Sequence, residues 1–128
     1  MRIDHIAIWT NNLEREKDFF LKYFNCSVNE KYVNSLKQFA SYFITFFDGT
    51  RIELMERGDI RLNKKKESQG YSHIAINVET RGKVDSLTSE LAKDGVTIES
   101  GPRVTGDGYY ESVILDPENN RIEIMCKY

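Results

Sequence analysis

The chain has 128 residues, enough for one compact domain or two very small modules. Its 40% hydrophobic and 30% charged residues are ordinary for a soluble globular protein, and a net charge of −2 carries no electrostatic footprint for nucleic acid. No apolar run approaches the ~20 residues that span a bilayer, and no basic-then-apolar leader precedes the patterned sequence, so a cytoplasmic location away from membranes is expected.

Residues 3–9 read as a strand. Asn11 or Asn12 can cap a helix beginning near Leu13. Leu13, Phe20 and Phe24 make its apolar stripe, Phe19 and Tyr23 widen it, and Asn25 marks the stop. Residues 28–33 and 39–47 read as strands. Asp48-Gly49 then turns the chain into a strand over 51–56, so that 39–56 is a hairpin. The polar stretch that follows contains Lys64-Lys65-Lys66, read as a solvated loop. Residues 72–78 read as a strand, and Thr80 caps a helix over roughly 81–94. Val84, Leu87 and Leu91 form its buried stripe, and Gly95 is its C-terminal glycine. Strands follow over 96–100 and 109–115, separated by the glycine-rich Thr105-Gly106-Asp107-Gly108, suited to a lid or to a simple turn. Asp116-Pro117-Glu118-Asn119-Asn120 turns into the last strand, 121–127. Cys126 shares a face of that strand with Ile122 and Ile124, which makes it a core thiol. With Cys26 as the only other cysteine, no disulfide framework exists, in keeping with a reducing compartment.

Each half therefore reads as strand, helix, then three strands, an α+β pattern, and the halves repeat each other. His5-Ile6-Ala7-Ile8 returns as His73-Ile74-Ala75-Ile76, and Arg51-Ile52-Glu53-Leu54-Met55 as Arg121-Ile122-Glu123-Ile124-Met125. The offset is 68 at the histidines and 70 at the glutamates, the difference being two extra residues at a hairpin tip. The expected organisation is a single domain of module 1 (1–57), a linker (58–70) and module 2 (71–128).

Side chains alternate across a strand with period two. The all-aliphatic face of each module suits packing under its helix. His5, Glu53, His73 and Glu123 then fall on the opposite face, with Trp9, Arg51, Arg121 and Met125. That face is too apolar for plain surface and too polar for plain core, as expected of a site lining. His5 and His73 are the only histidines of the chain. Two imidazoles and two carboxylates can assemble one four-ligand divalent metal site.

The whole pattern resembles the vicinal oxygen chelate superfamily, which groups glyoxalases, bleomycin-resistance proteins and extradiol dioxygenases. The carriers are Asp4-His5-Ile6-Ala7-Ile8 with Asn12-Leu13-Glu14, Asp48-Gly49-Thr50-Arg51-Ile52-Glu53, Ser72-His73-Ile74-Ala75, and Asp116 to Glu123. The resemblance implies two β-α-β-β-β modules with curled mixed sheets around a metal cavity. It matches His5, Glu53, His73 and Glu123 to the metal quartet of glyoxalase I, where thiol transferases and dioxygenases of the group use three ligands. It implies one divalent cation, Ni, Co, Zn or Mn, and a thiol adduct of a 2-oxoaldehyde such as methylglyoxal as substrate. Glu123 is the expected proton-shuttling base, with Glu53 as its repeat-related alternative. Arg51, Trp9, Arg121 and Met125 are expected to line the substrate pocket, with Arg103 and the lysine cluster as further cations for an anionic thiol. A homodimer is expected, its sites built within one chain or across two. The competing readings are another enzyme of the fold, or a non-enzymatic module that sequesters a small molecule.

Overall fold

The structure, a computed structural model, describes residues 4–60, 71–106 and 108–127. It divides into two compact units, Met1–Asn63 and Lys64–Tyr128. Residues 61–70, which hold most of the expected linker and the lysine cluster, lie outside the described residues.

In the first unit, strand β1 (Ile6–Trp9) leads into helix α1 (Leu13–Tyr23). Three partners settle the helix start. Asn12 Oδ1 accepts from the Arg15 amide at 3.0 Å, Thr10 Oγ1 from the Asn12 amide at 3.0 Å, and Glu56 Oε2 from the Leu13 amide at 3.0 Å. Strands β2 (Cys26–Val28), β3 (Tyr32–Asn34), β4 (Phe39–Phe46) and β5 (Arg51–Arg57) follow. The single strand expected over 28–33 is thus two short ones, and both pair with β4. The polar run Asn29-Glu30-Lys31 parts them, with Asn29 Oδ1 accepting from the Phe43 amide at 2.7 Å. The sheet order is β1-β5-β4-β2, with β1 parallel to β5 and the rest antiparallel. Helix α1 packs on it through Leu13, Phe19 and Phe20, over Ile44, Ile52 and Leu54, all buried.

The second unit repeats the plan with β6 (His73–Asn77), α2 (Arg81–Lys93), β7 (Ile98–Val104), β8 (Tyr109–Leu115) and β9 (Arg121–Lys127). Its order, β6-β9-β8-β7, again places the first and last strands side by side and parallel. Thr80 caps α2, and Gly95 follows its end at φ +82°. The buried helix stripe is Val84, Thr88 and Leu91; Leu87, expected to be buried, is only partly covered. Thr88 takes that place because its hydroxyl has two partners, Val84 O and Ser112 Oγ, both at 2.6 Å. Since its one proton goes to the Val84 carbonyl, Ser112 donates to Thr88, pinning α2 to β8. Cys126 is 1% exposed beside Ile122 and Ile124, as its strand parity requires.

Two turns deliver the last strand of each unit. Asp48 accepts from the Thr50 amide at 2.9 Å, with Gly49 at φ +85°. Asp116 accepts from the amides of Glu118 at 2.9 Å and Asn120 at 2.8 Å, with Asn119 at φ +62°. Strand β7 runs through Gly101-Pro102 to Val104, beyond the expected 96–100. The described residues of the glycine-rich loop close the β7–β8 hairpin: the Thr105 amide donates to Tyr109 O at 2.8 Å, and the Tyr109 amide to Thr105 Oγ1 at 3.0 Å. Among the described residues no helix is long and apolar enough to cross a membrane.

Candidate metal centre

The parallel pairing of first and last strands brings each histidine to a glutamate. In the first unit Ala7 lies opposite Glu53, so His5, two residues earlier, sits diagonally from Glu53 on the same face. His5 Nε2 is 3.6 Å from Glu53 Oε2. The second unit repeats the register, with Ala75 opposite Glu123 and His73 opposite Arg121. There His73 Nε2 is 3.2 Å from Glu123 Oε2. The four side chains keep 17–39% of their surface within the described residues, so both pairs can accept a ligand from outside.

The other ring nitrogen is engaged in both cases. His5 Nδ1 lies 2.9 Å from Asp4 Oδ2, and His73 Nδ1 lies 3.2 Å from Ser72 Oγ. His5, first, and Arg51 hold the Asp4 carboxyl below the usual carboxylate range, so Asp4 is an acceptor and His5 Nδ1–H donates to it. Nε2 then faces Glu53 with its lone pair unless a second proton or a cation stands there. An imidazole with Nδ1 held by a carboxylate or hydroxyl and Nε2 turned to an acidic group is the arrangement that orients metal-binding histidines. Two nitrogen and two carboxylate donors fit a borderline divalent cation. Each unit supplies two of these donors, and among the described residues neither unit gathers three His, Cys, Asp or Glu side chains around one point.

The residues expected to line a pocket share this face, and several already have partners. Arg51 pairs with Asp4 and lies 4.7 Å over the Phe43 ring, which also meets His5 edge-on at 5.1 Å. Arg121 forks onto Glu99, with Nε 2.6 Å from Oε2 and Nη2 3.1 Å from Oε1, and this holds the Glu99 carboxyl below its ordinary range. Trp9 is stacked beneath Arg57 at 5.0 Å and meets Phe39 edge-on at 6.2 Å. Met125 lies between Asn77 and Glu111 on the neighbouring strands.

Glu111 is a residue that sequence reasoning did not single out. It is buried on the site face of β8, beside Val113, and its Oε1 accepts from Arg103 Nη2 at 3.1 Å. The alternation of β8 could have found it: Ser112 and Ile114 face α2, so Tyr109, Glu111 and Val113 face the other way. No parity rule could have brought Arg103 to it, because β7 is irregular between Ile98 and Arg103.

Comparison with known proteins agrees with this architecture. Residues 2–124 match the model of the Glyoxalase/Bleomycin resistance protein/Dioxygenase superfamily. The chain belongs to that superfamily. Among solved structures, it is similar to a glyoxylase/bleomycin resistance protein/dioxygenase domain from Frankia sp. EAN1pec, at 16% identity over 100% of this chain and 98% of that one, with a TM-score of 0.85. It is similar to a glyoxalase family protein from Enterococcus faecalis at 21% identity, 97% and 96% coverage, and a TM-score of 0.80. It is also similar to the trypanothione-dependent glyoxalase I of Leishmania major at 23% identity, 98% and 86% coverage, and a TM-score of 0.77. No curated protein matches the chain. At these identities the likeness to solved structures establishes the fold.

Proposed function

We propose that His5, Glu53, His73 and Glu123 hold one divalent cation, and that the protein is a glyoxalase I-like lyase. Its substrate is the thiohemiacetal of methylglyoxal or another 2-oxoaldehyde, and its product a 2-hydroxyacyl thioester. The observation that carries this reading is the repeated His–Glu pair, 3.6 Å apart in one unit and 3.2 Å in the other, with the outer ring nitrogen engaged each time. A fourth protein ligand, Glu53, separates this set from the three-ligand enzymes that the superfamily resemblance implies.

Nickel, cobalt, zinc and manganese all suit the donor set. When bound, the cation supplies Lewis-acid stabilisation of the charge that develops on the substrate oxygens. The proton is the task of this chain. The Glu123 carboxylate takes it from the carbon bearing sulfur and hydroxyl, and returns it to the neighbouring carbonyl carbon. The hydroxyl proton passes in turn to the ketone oxygen, so the hydroxyl oxygen becomes the thioester carbonyl and the ketone oxygen becomes the hydroxyl, with no net gain or loss of atoms. Glu53 is the repeat-related second base. The partly apolar surroundings of Trp9 and Met125 limit water at the reacting carbons. We assign the working form as a homodimer, since modules of about 60 residues bury little core alone.

The test is lactoyl-thiol formation by protein loaded in turn with Ni, Co, Zn and Mn, with glutathione and other thiols. Turnover above the metal-free protein, lost by about 10²-fold or more in Glu123→Gln, is expected. No turnover with any metal and thiol rejects the activity.

A further inference from the structure

We infer that Arg51, acting through Asp4, is a positioning residue that holds the His5 imidazole with its Nε2 lone pair bare, whereas His73 in the second half of the repeat is held at Nδ1 by a hydroxyl, so the two histidines are unequal ligands. The inference rests on the divalent cation proposed above and assigns work to two residues outside its donor set.

A closed ring of contacts is the first support. His5 Nδ1 lies 2.9 Å from Asp4 Oδ2, and the Arg51 guanidinium donates to that same oxygen. The guanidinium lies 4.7 Å over the Phe43 ring, and Phe43 in turn meets the His5 ring edge-on at 5.1 Å. Sheet register makes the ring possible: Ile6 is opposite Ile52 and Phe43 opposite Glu53, which sets His5, Arg51 and Phe43 on one face. The Asp4 side chain is 57% exposed, so water competes for its carboxylate. Arg51 keeps that carboxylate on the imidazole, and the Phe43 ring keeps Arg51 in place.

The second support is the chemistry of the group at Nδ1. A carboxylate paired with a guanidinium only accepts, so Nδ1 of His5 carries the proton and Nε2 is left without one. A nitrogen that ligates a metal must be unprotonated, and His5 is therefore held in the tautomer that ligation needs. Ser72 Oγ, 3.2 Å from His73 Nδ1, can donate as well as accept, so it does not select that tautomer. The carboxylate at Nε2 is also closer in the second unit, 3.2 Å from His73 against 3.6 Å from His5, which favours a proton on His73 Nε2.

The third support is what the repeat changes. Ser72 stands where Asp4 does, Val113 where Phe43 does, and Arg121 where Arg51 does. Arg121 lies opposite His73, yet its guanidinium is forked onto Glu99 of β7, at the other edge of the sheet from β6. Val28 is opposite Ile44 as Ile98 is opposite Ile114, so Asn29 stands where Glu99 does, and its Oδ1 accepts from the Phe43 amide. Each arginine thus goes to the carboxylate that its own sheet offers. In the first unit that carboxylate is on a histidine; in the second it is not.

The experiment is a long-range proton–nitrogen spectrum of the metal-free full chain, isotope-labelled at the histidine nitrogens, at about pH 8.5, where imidazoles are ordinarily neutral. A calorimetric titration with zinc accompanies it. The chain has two histidines, so His5→Gln assigns both rings. His5 is expected to be mainly the Nδ1–H tautomer, and His73 to hold a smaller share of it. Asp4→Ser should bring His5 to the His73 pattern and weaken zinc about tenfold. Arg51→Gln should lower the Nδ1–H share of His5 partway and weaken zinc a few-fold, since the pair it breaks is exposed and screened. Arg51→Lys should restore most of both. Arg51→Gln added to Asp4→Ser should change nothing further, because Arg51 acts through Asp4. Arg121→Gln should leave the His73 tautomer as it is. Circular dichroism checks that each variant folds, and the spectrum of the unsubstituted protein tests the tautomer if one does not. A His5 ring without the Nδ1–H preference overturns the inference, and so does an Arg51→Gln protein with the parent's His5 spectrum or the parent's zinc affinity. Absent zinc binding with an Arg51-dependent tautomer rejects only the proposed cation, whereas zinc binding with an Arg51-independent tautomer rejects only this inference.

Discussion

Asp48 and Asp116 begin the turns that feed Glu53 and Glu123 into their strands, and they are related by the same offset of 68 as the histidines. Replacing each with alanine tests whether burial, rather than sequence role, sets the cost. Asp116 is 4% exposed, and its carboxylate accepts from the amides of Glu118 at 2.9 Å and Asn120 at 2.8 Å and from Asn120 Nδ2 at 2.8 Å. Asp116→Ala strands two withdrawn amides at about 1–2 kcal/mol each, so about 3 kcal/mol in all. Asp48 is exposed, and both of its oxygens serve Thr50, from the amide at 2.9 Å and the hydroxyl at 3.0 Å. Water replaces Asp48 readily, so Asp48→Ala should cost less than about 1 kcal/mol. In a chain of this size the difference is roughly 10 °C in Tm for Asp116→Ala against a few degrees for Asp48→Ala. Urea unfolding followed by circular dichroism, with thermal melts alongside, gives both values. Equal costs, or a larger one at Asp48, would refute the reasoning.

Three further outcomes follow from the packing and the charges. Phe20, 0% exposed under the first helix, should cost about 3–5 kcal/mol when truncated to alanine, measured by the same unfolding assay. Thr88→Val should cost about 1–3 kcal/mol by stranding the Ser112 hydroxyl, and adding Ser112→Ala should recover part of it; strict additivity would contradict the pinning of α2 to β8. Glu14 is held at about 2 by Lys17, Lys31 and Tyr42, below its ordinary 4.5, so its stabilising contribution is complete above about pH 4.5 and lost as pH falls toward 2. Because the side chain is half exposed, that contribution is about 1 kcal/mol after screening. The stability gap between wild type and Glu14→Gln should therefore close between pH 5 and pH 2, and a gap independent of pH would count against the cluster.

Strands β8 and β9 and both helix starts were legible in the sequence because alternation and caps mark them directly. The His–Glu pairs were legible for a related reason: period two put each histidine and glutamate on one face, and parallel pairing of first and last strands made them neighbours. Legibility failed where a local event breaks the period. Asn29-Glu30-Lys31 divides what reads as one strand, and the bulges of β7 hide the meeting of Arg103 with Glu111. Leu87 was misplaced because a hydroxyl with two buried partners, Thr88, competes successfully for the interior. Arg51 and Arg121 fall on the expected face, yet their pairing with Asp4 and Glu99 depends on neighbours that no spacing rule identifies.

The most direct measurement is a calorimetric titration of metal-free protein with zinc, repeated on His5→Ala, Glu53→Gln, His73→Ala and Glu123→Gln. One ion per chain is expected, with affinity falling by at least about tenfold in every one of the four variants. Binding that survives unchanged in the His5 and Glu53 variants, or the absence of stoichiometric binding in the unsubstituted protein, would contradict a cation shared by both halves of the repeat.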